Sequence, residues 1–309
     1  MDTKLNHFKV FLKGVFIGFT DMIPGISGST IALIFGVYNR FLSSLKNINL
    51  KNLKLIFKGN FKGFLKESDF VFLFFLLMGI TFSLLVFSKI VNIILDFPIL
   101  RSMLFSFFLG LIVASILFLL KDMEYNVKTV SFLILGFVVS LVIFFFSKNQ
   151  ASISLNFYLK LFVAGFFAIF AMLLPGISGS LVLLIFGVYP YVIHAVATIT
   201  NPQSLYVVGF MYSGVFLGAI LFPRLILWGI EKYTNKILSF LIGLMIGSIF
   251  SLWPFWQYKE QVYLNRVFLI PTTLKWPQLY ELLLSIVVVL FGFYVFYKIK
   301  QKSIQNTKN

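Results

Sequence analysis

Two stretches of this chain hold residues whose types and spacing could do chemistry. Residues 24–38 read PGISGSTIALIFGVY and residues 175–189 read PGISGSLVLLIFGVY, identical at twelve of fifteen positions with a constant offset of 151. Such a copy marks an internal duplication. In apolar sequence a Pro-Gly break leaves backbone groups without partners, which is tolerable only where protein or a polar cavity covers them. A helix can restart after it, and Ser27 or Ser178 is placed to cap that helix. Gly25 and Gly28, with Gly176 and Gly179, would let a ligand approach the backbone, while Ser29 and Thr30, or Ser180, add hydroxyls. Amide and hydroxyl donors at a helix start suit an anion, phosphate above all. The competing reading is that small residues only let helices pack closely. Repetition of the motif in both halves weighs toward the anion site.

Charges that could complete such a site are few. Lys89, Arg101 and Arg224 lie within or at the ends of apolar segments, where a cation either serves a function or snorkels to headgroups. Asp21 is the only acid in the motif segments, and Met172 stands at the equivalent position. Asp21 is expected to ion-pair with a cation such as Lys13 or Arg40, or to carry a proton. His7 and His194 show no metal-ligand spacing. The chain has no cysteine, which excludes disulfides, thiolate metal sites and cysteine nucleophiles. No metal or cofactor is expected.

The elements that hold these residues are membrane helices. The 309 residues are 60% hydrophobic and 19% aromatic, with a mean hydropathy of +0.98, outside the range of a soluble domain. The net charge of +16 has no soluble basic module behind it, so anionic lipid rather than nucleic acid is its expected partner. Apolar segments fall near 10–44, 70–95, 99–120, 130–147, 157–200, 204–230, 237–256 and 279–297. All are expected to be helical, because open strands cannot satisfy their backbone in lipid. Residues 46–66 interleave six lysines with Leu50, Leu53, Phe57, Phe61 and Leu65, the pattern of a basic amphipathic helix on a membrane surface, or else of a solvated loop. Residues 301–309 form a polar tail. The N-terminus, with Lys4, Lys9 and Lys13, has no small-residue cleavage site and is expected to be retained.

Charge asymmetry decides between two topologies. If each motif segment (10–44 and 157–200) is a re-entrant hairpin, 17 Lys/Arg fall on the side of both termini and 5 on the other. If each crosses once, the split is 11 to 11 and specifies no orientation. The re-entrant arrangement is therefore expected, with both termini cytoplasmic. Three crossings then separate the hairpins, which makes residues 1–150 and 151–300 two inverted-topology repeats. The expected fold is thus an all-α polytopic membrane protein, each repeat a re-entrant helical hairpin followed by three transmembrane helices. Weaker matches extend the duplication: Gly14 to Gly165, Gly79 to Gly214, Lys89 to Arg224.

The run from Gly14 to Gly18, then Asp21-Met22-Ile23-Pro24-Gly25-Ile26-Ser27-Gly28-Ser29-Thr30 and Gly36-Val37-Tyr38, closely resembles the bacterial polyprenyl-phosphate translocase family, formerly domain of unknown function 368. The resemblance covers essentially the whole chain, second PGISGS included. It implies a flippase of the bacterial cytoplasmic membrane that returns undecaprenyl phosphate, the lipid carrier of cell-wall synthesis, from the outer to the inner leaflet. Ser29 and Ser180 stand where glycine is expected to be common in the family, a change that keeps the site's character. Its cationic residues do not transfer one by one, so Lys89, Arg101 and Arg224 rest on the charge argument alone. Two other functions compete. A small-anion channel or exchanger would use the same helix ends. Membrane phosphatases acting on the carrier's pyrophosphate share the layout, but they carry Arg in the motif and paired glutamates, where this chain has Gly28 and Gly179 and no close glutamate pair.

Overall fold

The computed structural model describes residues 7–23, 26–148, 156–263 and 266–308. Its helices are α1 (His7–Asp21), α2 (Gly28–Ile34), α3 (Tyr38–Asn47), α4 (Leu50–Phe57), α5 (Phe61–Glu67), α6 (Phe70–Asp96), α7 (Pro98–Lys121), α8 (Val127–Lys148), α9 (Phe157–Leu173), α10 (Gly179–Ile185), α11 (Tyr189–Ala197), α12 (Pro202–Lys232), α13 (Thr234–Ser248) and α14 (Leu279–Lys308). Among the described residues, α6, α7, α8, α12 and α14 are long and apolar enough to cross a bilayer. The pair α10–α11 reaches that length only together and is bent by 118°. The chain is a multi-pass membrane protein.

Lipid gives helices no hydrophobic reason to associate, so close packing across small residues must hold them. Four helix pairs form this way, each with a glycine on both partners. Gly14 of α1 faces Gly79 of α6, and Gly165 of α9 faces the Met211 turn of α12, where Gly214 returns the contact. Gly110 of α7 abuts α14 and Gly292 of α14 abuts α7, while Gly136 of α8 and Gly243 of α13 do the same for that pair. A side chain at any of these positions would run into a carbonyl of the partner helix. Glycine matches read from the duplication, Gly14 with Gly165 and Gly79 with Gly214, therefore correspond to equivalent helix contacts.

All four pairs run parallel. His7 stacks on Phe75 and Phe19 meets Phe87 along α1 and α6, and Tyr158–Phe210 and Phe170–Phe222 do so along α9 and α12. Phe107–Phe291 and Phe118–Phe296 order α7 and α14, while Lys236 over Phe132 and Gly247 against Ser140 order α8 and α13.

The copied FGVY sequences act alike. Each seven-residue motif helix ends at a glycine with positive φ, Gly36 at 68° and Gly187 at 64°. Val37 N–H reaches back to Ala32 O and Gly36 N–H to Leu33 O, and Val188 and Gly187 repeat this with Leu183 and Leu184. This is a Schellman cap, which stops the helix and turns the chain into α3 or α11.

Two expectations need correction. The described residues are mostly helical, as expected of a polytopic membrane protein, but β1 (Trp256–Tyr263) and β2 (Arg266–Leu274) add an antiparallel hairpin, pairing Val262 with Val267 and Tyr258 with Pro271. The helix expected over 237–256 stops at Ser248. A strand pair is admissible because it sits beyond the helix ends, where water can satisfy its edges. The alternation in Trp256-Gln257-Tyr258-Lys259 was its local signal. The stretch 46–66 is not one amphipathic helix either. Gly59, at φ 74°, separates α4 from α5, and Asn49 and Asn60 each accept an N–H from the helix they start. Leu50, Phe57 and Phe61 remain exposed between the lysines.

Candidate functional site

Where α1 and α9 break, the two motifs touch. The break strands the last carbonyls of α9 and the amide that follows, and the first motif supplies their partners. Tyr38 Oη donates to Leu173 O at 2.8 Å, Ser27 Oγ donates to Leu174 O at 3.3 Å, and Gly176 N–H donates to Thr30 Oγ1 at 2.9 Å. Leu181 occupies the place of Thr30 in the second motif, so that bond has no counterpart across the repeat.

Ser27 and Ser178 do stand at the N-cap positions of α2 and α10, but neither side chain caps the helix. Each hydroxyl instead meets the serine two residues on: Ser27 and Ser29 Oγ lie 2.6 Å apart, Ser178 and Ser180 Oγ 2.7 Å. Ser27, Ser29 and Ser178 are buried, while Ser180 is partly open. Gly25 lies outside the described residues. Gly176 has φ 89° with the α13 backbone pressed against it.

Asp21 is not paired with Lys13 or Arg40. Its Oδ1 accepts the Gly28 N–H at 2.7 Å, so the carboxylate sits at the start of α2. Lys13 Nζ donates to Phe35 O at 2.9 Å, and Arg40 holds Asp69 at 2.5 and 2.8 Å. Gly28 makes the Asp21 contact possible, since a Cβ there would lie 2.5 Å from Oδ1. At the second copy Met172 fills the same place beside Gly179. The two motif helices thus begin differently, one beside a carboxyl group and one beside a thioether.

Among the described residues, no hydrogen bond, ion pair or ring contact joins any of the three expected cations to the motifs. Lys89 is exposed on α6. Arg101 lies at the start of α7, stacked over Tyr258 at 4.1 Å with Nη1 donating to Leu95 O at 2.9 Å. Burial raises the Tyr258 phenol above its usual range, with Arg101 acting the other way, so the ring stays neutral. Arg224 donates to Ile220 O and, at 3.3 Å, to Lys46 O, tying α12 to the end of α3. The lysines near the motifs are others: Lys13 at the end of α2, and Lys160, whose Nζ is 3.9 Å from where a Gly187 side chain would start. Lys9 and Lys160 share the offset of 151, a signal that charge reasoning passed over in favour of cations deeper in apolar sequence.

What the motifs assemble is a set of hydroxyls and amides at two helix breaks, the first supplying partners to the second, within parallel membrane helices. This is the construction of a membrane transporter with discontinuous helices. The chain belongs to the undecaprenyl phosphate translocase-like family (VCA0040-like), whose model matches residues 17–267. It is similar to the polyprenyl-phosphate transporter of Vibrio cholerae serotype O1, 32% identical over 252 residues, covering 81% of this chain and 79% of that protein. It is similar also to the polyprenyl-phosphate transporter of Staphylococcus aureus, 30% identical over 258 residues, covering 79% and 85%. No solved structure matches it.

Proposed function

We propose that this protein is a flippase for a polyprenyl phosphate, undecaprenyl phosphate being the expected substrate, returning it from the outer to the inner leaflet of the bacterial cytoplasmic membrane for reuse in cell-wall synthesis. The observation that carries the reading is the meeting of the two serine-bearing breaks, Ser27 bonded to Leu174 O and Thr30 to Gly176 N–H. Gly25, Ser27, Gly28, Ser29, Thr30, Gly176, Ser178, Gly179 and Ser180 would form the phosphate passage, with Lys13 and Lys160, beside the far ends of α2 and α10, as candidate cations. The isoprenoid tail stays in lipid while the headgroup crosses. Asp21 already occupies the amide of Gly28, so an entering phosphate must displace or neutralise it, which gives the first half-site a built-in competitor. No hydrolysis is assigned to the protein.

Helix directions support the inverted-repeat topology. Because α1 and α6 are parallel, the chain between their starts returns to the face it left, and α9 and α12 imply the same for the second hairpin. Three crossings, α6 to α8, lie between the hairpins, so they enter from opposite faces. The parallel pairs α7–α14 and α8–α13 agree with that alternation. With both termini cytoplasmic, α4 and α5 lie on the inner face, their lysines toward anionic lipid and Leu50, Phe57 and Phe61 inserted.

In liposomes the purified protein is expected to move labelled undecaprenyl phosphate between leaflets faster than protein-free vesicles. Equal rates from a folded preparation sink the reading, and flux of chloride or phosphate without lipid movement favours an anion channel. In intact cells Thr200→Cys should react with an impermeant thiol reagent and Lys54→Cys should not; the reverse pattern overturns the orientation.

A further inference from the structure

A second polar feature lies away from the motifs. α6 runs 27 residues from α5, about 40 Å at 1.5 Å per residue, so its end at Asp96 is on the face opposite the lysine-rich segment. There the start of α7, the turn after α13 and the β1–β2 hairpin enclose an open cleft of about 510 Å³. Arg101, Lys259 and Lys275 line it, and Glu281 is the one carboxylate in its lining.

These charges are unevenly matched. Glu281 is taken by Lys275, at 3.0 and 3.2 Å, and by the Gln278 N–H at 3.0 Å. Arg101 is held in place by the Tyr258 ring and the Leu95 carbonyl. Only one of its five guanidinium N–H donors is thereby used. Lys259 makes no hydrogen bond or ion pair among the described residues. The cleft therefore presents two cations to its opening: Arg101, held by the ring and the carbonyl with Asp96 as its acidic neighbour, and the exposed Lys259. Exposed Trp253 and Trp276 flank it, the residues that favour the headgroup level of a bilayer. At that level the bulk anions are phosphodiesters with one charge, whereas a phosphate monoester approaches two near neutral pH.

We propose that this cleft docks the phosphate monoester headgroup of a lipid at the face opposite α4–α5, ahead of the motif passage, and prefers it to diester phospholipids. The inference rests on the flippase reading and adds to it a separate loading site built from Arg101, Lys259 and the hairpin.

The test uses full-length protein in phosphatidylcholine nanodiscs, with farnesyl phosphate, phosphatidylglycerol and inorganic phosphate as probes. Farnesyl phosphate is expected to bind, phosphatidylglycerol not to displace it, and inorganic phosphate to compete only weakly. Lys259→Glu and Arg101→Gln should each weaken farnesyl phosphate by about tenfold or more, the loss expected for one charged hydrogen bond. Unchanged affinity in both variants at wild-type unfolding temperature overturns the proposal, as does equal competition by phosphatidylglycerol. Binding of inorganic phosphate without the lipid monoester also overturns it, since the cleft is then a free-phosphate site. If Arg101→Gln fails to fold, exposed Lys259→Glu decides alone. A wild-type protein that binds farnesyl phosphate through this cleft but moves no polyprenyl phosphate in liposomes refutes the flippase reading and leaves the docking site standing.

Discussion

Replacing Ser27 and Ser178 together with alanine is expected to reduce polyprenyl-phosphate translocation by roughly 10²–10⁴-fold, from two lost hydrogen bonds to a charged group at about 1.5–3 kcal/mol each. Leucine at both positions should abolish it, because the added bulk also fills the gap between the breaks. The single variants separate transport from folding. Ser27 Oγ also supports Leu174 O, a stranded carbonyl of α9, so Ser27→Ala should lower the unfolding temperature by the loss of about 1 kcal/mol. Ser178 Oγ meets only Ser180 Oγ among the described residues, so Ser178→Ala should leave stability nearly unchanged while still slowing transport. Rates measured in proteoliposomes, beside thermal unfolding of the same preparations, check both statements. Wild-type transport by the folded double alanine variant refutes the motif passage.

Gly176→Ala is expected to prevent recovery of folded protein, whereas Gly36→Ala is expected to be tolerated. Both glycines have positive φ, 89° and 68°, which strains any other residue by about 1–3 kcal/mol. Their surroundings differ. A Cβ at Gly176 would sit 2.5 Å from Leu244 C and 2.6 Å from Leu244 O and Met245 N, all backbone of α13, while one at Gly36 meets nothing within 4 Å. The α13 backbone cannot yield without losing its close approach to α8 through Gly136 and Gly243. Strain plus displacement of a helix pair competes with a total stability of only about 5–15 kcal/mol. The fraction of protein that elutes monodisperse in mild detergent is the measurement. Equal yields from the two variants would show that α13 does not press on the second break.

The Asp21 contact shows where reading by analogy fails. A buried acid in apolar sequence is expected to seek a cation, and Lys13 and Arg40 were the near candidates. The chain instead folds α2 back so that Asp21 meets the Gly28 amide, while Lys13 goes to Phe35 O and Arg40 to Asp69. Nothing local distinguishes these pairings, which depend on the angle between α1 and α2. The β-hairpin failed for a different reason. Its residues alternate as a strand's do, and because they lie past the end of α13 the exclusion of open strands from lipid does not reach them.

Composition, hydropathy and the copied PGISGS and FGVY strings determined on their own that this is a duplicated membrane protein with two broken helices. They also reached the equivalent glycines at 14, 79, 165 and 214. Such features depend on residues within a few turns of one another, or on a repeat that preserves spacing, so a linear sequence holds them. The tertiary structure alone decided that Thr30, Ser27 and Tyr38 serve the second break and that α7 and α8 pack on α14 and α13. It also decided that Arg101 faces a hairpin and not the motifs. Those partners are more than a hundred residues apart, and which donor meets which stranded carbonyl is set by helix packing, which hydropathy and spacing do not encode.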